Sequence, residues 1–262
     1  MSTQTLKEVI QLNKSGFYTF TLTKDFQMEI MPDCNVEVLV KEEGITKVNG
    51  TINVAQNSQC RILFMNESEQ SNVKLDIHQK QDSNLHAGFY ELNETPTNLY
   101  VRTHLDEQNA SATLISTSIA SSKKDFDIEC IHHAPHTNSE MKNFEISNAQ
   151  ANYKIRACGT IEKGAYQSKS HQMTRILTTS EQQRSVAIPV LLIDENDVEA
   201  SHANSMGKMD EAYLYYLQSR GIDEKQAKEL LTLSYLLPIS EVLENEETNQ
   251  MITQKIRSRA GL

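Results

Sequence analysis

Turn signals recur along this chain at a spacing that few folds tolerate. Asn57-Ser58, Asp82-Ser-Asn84, Asn109-Ala-Ser111, Thr137-Asn-Ser139, Gly164-Ala165 and Asn196-Asp197 follow one another at intervals of roughly 25 to 30 residues. Between about Tyr18 and about His202 the intervening segments are short and alternate apolar with polar residues: Asn35-Val-Glu-Val-Leu-Val40, Thr51-Ile-Asn-Val54, Asn72-Val-Lys-Leu-Asp-Ile77, Asn98-Leu-Tyr-Val101 and Ala112-Thr-Leu-Ile-Ser116. Alternation over that length marks half-buried strands, because successive side chains leave a strand on opposite faces. A β-sandwich is the rival, but it turns about every 8 to 12 residues. The longer period suits a β-solenoid, in which each coil adds strands to parallel sheets and buries a face against the next coil. Hydrophobic content of 38%, only 6% aromatic residues and no Trp fit a thin, elongated core.

The pattern changes after His202. Met209 to Gly221 reads as a helix, with Asp210 as N-cap, Arg220 in the last turn and Gly221 at the C′ position. Asp223-Glu-Lys-Gln226 opens a second helix, whose apolar residues Ala227, Leu230, Leu231 and Leu237 recur at helical spacing until Pro238. A third, weaker helical pattern starts after Ser240 with Val242 and Leu243 and ends at Lys255, Arg257 and Arg259. Residues 1–207 therefore read as a β core and 208–262 as a helical domain.

The 262 residues carry 25 basic and 35 acidic side chains, a formal charge of −10. Nucleic acid is disfavoured as a partner, since phosphate binding relies on clustered Lys and Arg. The best apolar run, Val186 to Ile193, falls far short of the roughly 20 residues that cross a bilayer. Met1 to Lys14 lacks the basic start and apolar stretch of a secretory signal, so a cytoplasmic protein without membrane contact is expected. Cys34, Cys60, Cys130 and Cys158 form no CxxC pair and are expected to be free thiols. No GxxxxGK[ST] run is present, so no nucleotide is expected on this chain and ATP-derived energy must come from a partner.

At the join of the two regions the sequence reads Glu199-Ala-Ser-His202-Ala-Asn-Ser-Met-Gly207-Lys-Met-Asp210-Glu, then Tyr216-Leu-Gln-Ser-Arg220-Gly-Ile-Asp223-Glu-Lys-Gln-Ala227. Upstream lie Ile131-His-His-Ala-Pro-His-Thr-Asn-Ser-Glu140, Arg156-Ala-Cys-Gly-Thr-Ile161 and Gly164-Ala-Tyr-Gln-Ser-Lys-Ser-His-Gln172. In order and content these segments resemble the signatures of the SufB/SufD family, over about Asp127 to Leu237. The resemblance implies a right-handed parallel β-helix followed by a helical domain, working as a scaffold in cytoplasmic iron–sulfur cluster assembly. It also implies pairing through the β-helix end, with a SufB-like paralogue or a second copy, and docking of a SufC-like ABC ATPase on the C-terminal helices. Strands begin almost at once here, so the resemblance is to a short member lacking the usual helical N-terminal domain. Ser201 and Ala203 stand where SufB members flank the histidine with glutamates, and Arg175 to Ser180 contains no cysteine; both point to the SufD type.

His202 matches the family's histidine near the dimer interface and is a candidate ligand for iron or a transient iron–sulfur cluster. The alternative role is a hydrogen-bonded histidine in a half-apolar interface. By strand parity Cys34, Cys60 and Cys130 belong to the core, whereas Cys158 falls on the face of Arg156 and Thr160. A thiol beside a cation ionises more readily, which makes Cys158 the expected reactive thiol and second ligand candidate. Cys130, His132 and His171 are weaker candidates; His132 shares the face of Cys130 while His133 points away. For ATPase docking the residues are Tyr213, Leu214, Leu217, Arg220, Leu230, Leu231 and Leu237; packing of that face on the last coil is the alternative. Two other functions compete, a β-helix enzyme acting on polysaccharide and a structural β-helix without cluster chemistry. The enzyme would need paired carboxylates in an aromatic groove, which the Trp-free sequence does not offer.

Overall fold

The computed structural model describes residues 7–44 and 47–260; the first six residues of the Met1–Lys14 segment lie outside it. Sixteen strands follow in order: β1 (Glu8–Leu12), β2 (Gly16–Leu22), β3 (Phe26–Ile30), β4 (Asn35–Glu42), β5 (Val48–Val54), β6 (Gln59–Asn66), β7 (Ser71–Gln79) and β8 (Asn84–Glu91). The second half comprises β9 (Thr97–Leu105), β10 (Ser111–Ala120), β11 (Lys123–His132), β12 (Asn138–Ser147), β13 (Asn152–Ile161), β14 (Lys169–Thr178), β15 (Arg184–Ile193) and β16 (Glu199–Lys208). Odd-numbered strands form one parallel eight-stranded sheet and even-numbered strands the other. The chain thus winds through about seven turns of a parallel β-solenoid, as the turn spacing predicts. Facing antiparallel sheets, the sandwich alternative, are not formed.

One residue per coil makes the winding possible. Asp33, Asn57, Asp82, Asn109, His136 and Gln167 adopt left-handed backbone angles, with φ between 55° and 62°. Asn and Asp tolerate that region because their short polar side chains bond locally. Here they also bond upward: Asn57 Nδ2 donates to Asp33 Oδ1 (3.2 Å) and Asn109 Nδ2 to Asp82 Oδ1 (2.8 Å). The backbone repeats the link, since the Asp33, Asn57 and Asp82 amides donate to carbonyls of Gln56, Gln81 and Gln108. Each turn therefore fixes the register of the next.

In-register stacking turns each inward position into a row. The even-numbered strands contribute Val36–Cys60–Leu85–Ala112–Ser139–Ser170–Ala200, Val38–Ile62–Ala87–Leu114–Met141–Gln172–His202 and Val40–Phe64–Phe89–Ser116–Asn143–Thr174–Asn204. All three rows start apolar and turn polar towards the last coils, at Ser139 and Ser170, at Gln172 and His202, and from Ser116 to Asn204. A fourth contains the buried carboxyls of Glu42, Glu91 and Glu145. Lys124, also fully buried, donates through Nζ to Asn93 Oδ1 (2.6 Å) and lies 3.9 Å from Glu91 Oε2, while Asn66 Nδ2 donates to the same Glu91 oxygen (2.8 Å). Burial raises the pKa of Glu42, with the neighbouring Glu91 charge adding, to about 8. It also raises Glu145 well above the carboxyl range and lowers Lys124.

Among the described residues three helices follow the strands: α1 (Glu211–Ser219), α2 (Glu224–Leu236) and α3 (Glu246–Ala260), with a 3₁₀ turn at Leu237–Glu241 after α2. Asp210 and Asp223 cap α1 and α2 as the sequence indicates, accepting from the amides of Ala212 and Gln226 at 2.8 Å each. The third helix starts later than its apolar pattern suggests. Val242 and Leu243 precede it because they are sheet contacts: with Leu236, Ile239, Ile252 and Ile256 they pack on Leu39, Leu63, Met65, Tyr90, Ile115 and Phe144 of the even-numbered sheet's outer face. Gly88 admits this segment, since a Cβ there would lie 2.7 Å from Val242 Cγ2 and 2.8 Å from Leu63 Cδ1. The tail thus runs back along the middle coils rather than sitting on the last one. Arg61 pins it, donating to the Val242 carbonyl (3.1 Å) and pairing with Glu244 (2.7 Å). Among the described residues no helix is long and apolar enough to cross a membrane.

Candidate functional site

The solenoid stops at β15 and β16, each hydrogen-bonded to a strand on one side only. A β-sheet edge presents unpaired backbone groups to any strand that can reach it. Both edge strands are ten residues long, and Val186, Ile188, Leu192 and Ile193 on β15 and Met206 on β16 remain exposed. Ile193 and Met206 continue the inward positions of Ile161 and Ile176, which a further coil would cover, whereas Val186, Ile188 and Leu192 share the outward face of Lys154, Arg156 and Thr160.

His202 belongs to this open end. It is the last member of an inward row, in register with Gln172, and is solvent-exposed because nothing covers the final coil. Gln172 itself is buried; its Nε2 donates to the Val190 carbonyl (2.8 Å) while its Oε1 has no partner. Beneath lies a polar interior. His132 is held at both ring nitrogens, Nδ1 by Thr137 Oγ1 (2.7 Å) and Nε2 by Ser139 Oγ (2.8 Å), and Ser139 Oγ donates to Ser170 Oγ (3.0 Å). Gly159 leaves room for that hydroxyl, since a Cβ would stand 2.3 Å from Ser170 Oγ. Burial lowers the pKa of His132 to about 4, with the neighbouring His133 contributing, so it is a neutral structural ring whose nitrogens are already engaged.

Cys158 corrects an expectation. Its parity is as read, outward beside Arg156 and Thr160, but the neighbouring coils close over it and its exposure is 0%. It lies in the row Arg102–Glu129–Cys158–Val190. Both flanking cations are already committed. Arg102 pairs with Asp127 (3.0 Å) and Glu129 (3.1 Å), and Arg156 pairs with the same two carboxylates at 3.0 and 3.2 Å. Burial raises the Cys158 thiol, and the Glu129 carboxylate adds to the rise; the Thr160 contact and Arg156 do not reverse it. The activated surface thiol is therefore absent, and Cys158 is a covered, protonated one. Cys60 and Cys130, buried as expected, are each pushed up to about 12.

The fold does not gather the other candidates into one site. Cys158 faces outward from the odd-numbered sheet, whereas His202 closes an inward row of the even-numbered one. His171, on β14, takes the opposite face from Gln172, with Nδ1 2.8 Å from Ser201 Oγ. Of the docking candidates, Tyr213, Tyr216, Arg220 and Leu230 are exposed and Leu214, Leu217, Leu231 and Leu237 half-buried; α1 has no buried residue at all, and Tyr215 widens its aromatic surface. Arg220 lies over the Tyr216 ring at 5.3 Å. A constellation that sequence reasoning missed lies on the outer face of the odd-numbered sheet, where His78, His104 and His133 stack with Asp76 and Asp106. Its signal was coil spacing: His104 and His133 are 29 residues apart, and His78 is directly in register with His104.

Comparison with known proteins agrees with this architecture. The family model described as SUF system FeS cluster assembly, SufBD core domain, matches residues 20–235. The iron–sulfur cluster assembly protein SufD of Bacillus subtilis (strain 168) is 30% identical over 168 residues, covering 64% of this chain and 38% of its own length. An iron–sulfur cluster assembly SufBD family protein of Mycobacterium bovis is 26% identical over 159 residues, 59% of this chain and 19% of its own. SufD of Escherichia coli (strain K12) is 31% identical over 71 residues, 27% of this chain and 17% of its own. The chain thus matches less than two-fifths of the length of each of these relatives. With the core-domain model spanning most of its solenoid and two of its three helices, this chain belongs to the SufB/SufD family.

Proposed function

We propose that the chain is a non-enzymatic scaffold subunit of an iron–sulfur cluster assembly complex. It pairs through the β15/β16 end with a SufB-like paralogue or a second copy of itself, and binds a SufC-like ABC ATPase on the exposed face of α1 and α2. One observation carries the reading: the rod ends in two ten-residue strands, each with one edge unpaired and with exposed apolar side chains. Pairing of such an edge supplies backbone hydrogen bonds along its length and buries the side chains together.

His202 fits a cargo role at that junction. It is exposed, terminates an inward row, and adjoins the orphaned Gln172 oxygen. Among the described residues it joins no group of three converging His, Cys, Asp or Glu ligands. Iron or a transient cluster would therefore be held only when a second subunit adds its own ligands, which makes assembly state the control on cargo. The buried, protonated Cys158 takes no part in this reading. The chain has no P-loop, so ATP-driven motion enters through the partner docked on Tyr213, Tyr216 and Leu230.

The test is co-purification of the chain with a SufC-like ATPase and a SufB-like paralogue, read by analytical ultracentrifugation. Ile188→Lys with Leu192→Lys should abolish pairing through the β-helix end but leave ATPase binding intact. Tyr213→Ala with Leu230→Ala should do the reverse. A folded parent chain that sediments as a monomer in the presence of both partners overturns the proposal.

A further inference from the structure

His78, His104 and His133 come from successive coils and line up with nearly parallel rings, with centroid separations of 4.7 and 5.2 Å and interplanar angles of 8° and 4°. Each of the last two rings has one nitrogen held by a carboxylate. His104 Nε2 lies 3.1 Å from Asp76 Oδ1, and His133 Nδ1 lies 2.8 Å from Glu162 Oε2. A carboxylate on one side of an imidazole fixes its tautomer and turns the opposite nitrogen into a lone-pair donor. The two nitrogens so freed, His104 Nδ1 and His133 Nε2, face each other at 2.9 Å. A contact this short is closed by a proton shared between the rings, an N–H···N hydrogen bond, or by a metal ion in the proton's place.

Asp106 supplies the third ligand, its carboxylate lying within 4.8 Å of a ring nitrogen of each histidine. His78 Nδ1, 3.0 Å from Asp106 Oδ2, steadies that carboxylate. The ring and carboxyl atoms are 21 to 29% exposed, so an ion can reach them and keep water in its remaining positions. Lys80 stands 4.0 Å from Asp106 but nearer Glu107 (3.2 Å), where it can remain paired.

We infer that His104, His133 and Asp106 form a binding site for one divalent first-row transition-metal ion, with Asp76, Glu162 and His78 as the outer partners that orient the ligands. Two imidazoles and one carboxylate suit zinc, cobalt, nickel or ferrous ions rather than calcium or magnesium, which prefer oxygen alone. The site lies on the outer wall of the middle coils and stands independently of the scaffold reading. A rival grouping, Asp76, His78 and His104, shares His104 but uses neither His133 nor Asp106.

Titration of the full chain with Zn²⁺ by calorimetry, and with Co²⁺ by its visible absorption, tests the assignment. One saturable ion per chain is expected. His133→Gln and Asp106→Asn should each weaken Zn²⁺ binding at least tenfold, and Glu162→Gln by about 10- to 100-fold through the lost outer partner. Circular dichroism of the variants checks that these surface changes leave the solenoid folded. Absence of saturable binding in the parent, or undiminished affinity in both His133→Gln and Asp106→Asn, overturns the inference.

Discussion

Replacing Glu42 by Gln should stabilise the protein at alkaline pH and do little at acidic pH. The Glu42 carboxyl is buried, accepts a hydrogen bond from Ser71 Oγ (3.0 Å) and shares its row with the Glu91 carboxyl. Burial, reinforced by that second acid, raises its pKa from an ordinary 4.5 to about 8. A carboxyl whose pKa is higher in the folded state holds a proton there that the unfolded chain releases. Folding is thus unaffected by this group below about pH 4.5 and loses stability as the pH climbs toward 8. The slope approaches about 1.4 kcal/mol per pH unit, so the ceiling between pH 5 and pH 8 is about 4 kcal/mol. Glu42→Gln keeps the acceptor for Ser71 and removes the titration. Urea unfolding of parent and variant, followed by circular dichroism at several pH values, reads the difference directly. The reasoning fails if the gap between the two proteins stays constant from pH 5 to pH 8, or if the parent alone gains stability over that range.

Two further expectations rest on packing. Gly88→Val places side-chain atoms where Val242, Ile239 and Leu63 already meet, which should cost about 1–3 kcal/mol by overpacking and loosen the tail. A lower melting temperature with faster proteolysis between α2 and α3 would register it, and an unchanged melting temperature would count against the close approach. All four cysteines are buried, with Cys60, Cys130 and Cys158 raised in pKa, so a maleimide should label the native protein slowly at neutral pH and label four thiols in urea. Rapid native labelling lost in Cys158→Ser would show that thiol to be open after all.

How far the sequence could be read depended on whether the deciding contact was local. Strand parity and turn chemistry are local, so the solenoid, its asparagine and aspartate corners and the core positions of Cys34, Cys60 and Cys130 were legible. The Asp210 and Asp223 caps were legible for the same reason. Parity also put Cys158 on the outer face, but it could not reveal that Glu129 and Val190 on adjacent coils close over it. Val242 and Leu243 looked like the start of a helix because they are apolar; the partner that explains them is a sheet nearly two hundred residues earlier in the chain. The histidine stack escaped because its members come from three coils, and no within-strand spacing joins them. Aligning the sequence on its own turn period would have put His78 and His104 in one column.

The gradient inside the solenoid links its stability to its proposed use. In a stacked repeat, stability is nearly a sum of each unit and its interfaces with neighbours. The early coils bury Val40, Phe64 and Phe89 in one row, whereas the same row ends in Asn143, Thr174 and Asn204. Hydrogen bonds such as Ser116 Oγ to Asn143 Oδ1 (2.7 Å) satisfy polar groups in that row, yet each contributes only about 1 kcal/mol net, less than a buried phenyl ring. The last coil also has one neighbour where inner coils have two. It is therefore less self-sufficient than the inner coils, and the tail does not compensate, because its buried residues lie mostly against β4 to β12. A polar interior and an apolar rim together disfavour an isolated end and favour one completed by a second chain, which is the arrangement a subunit needs if its exposed histidine is to act only within an assembly.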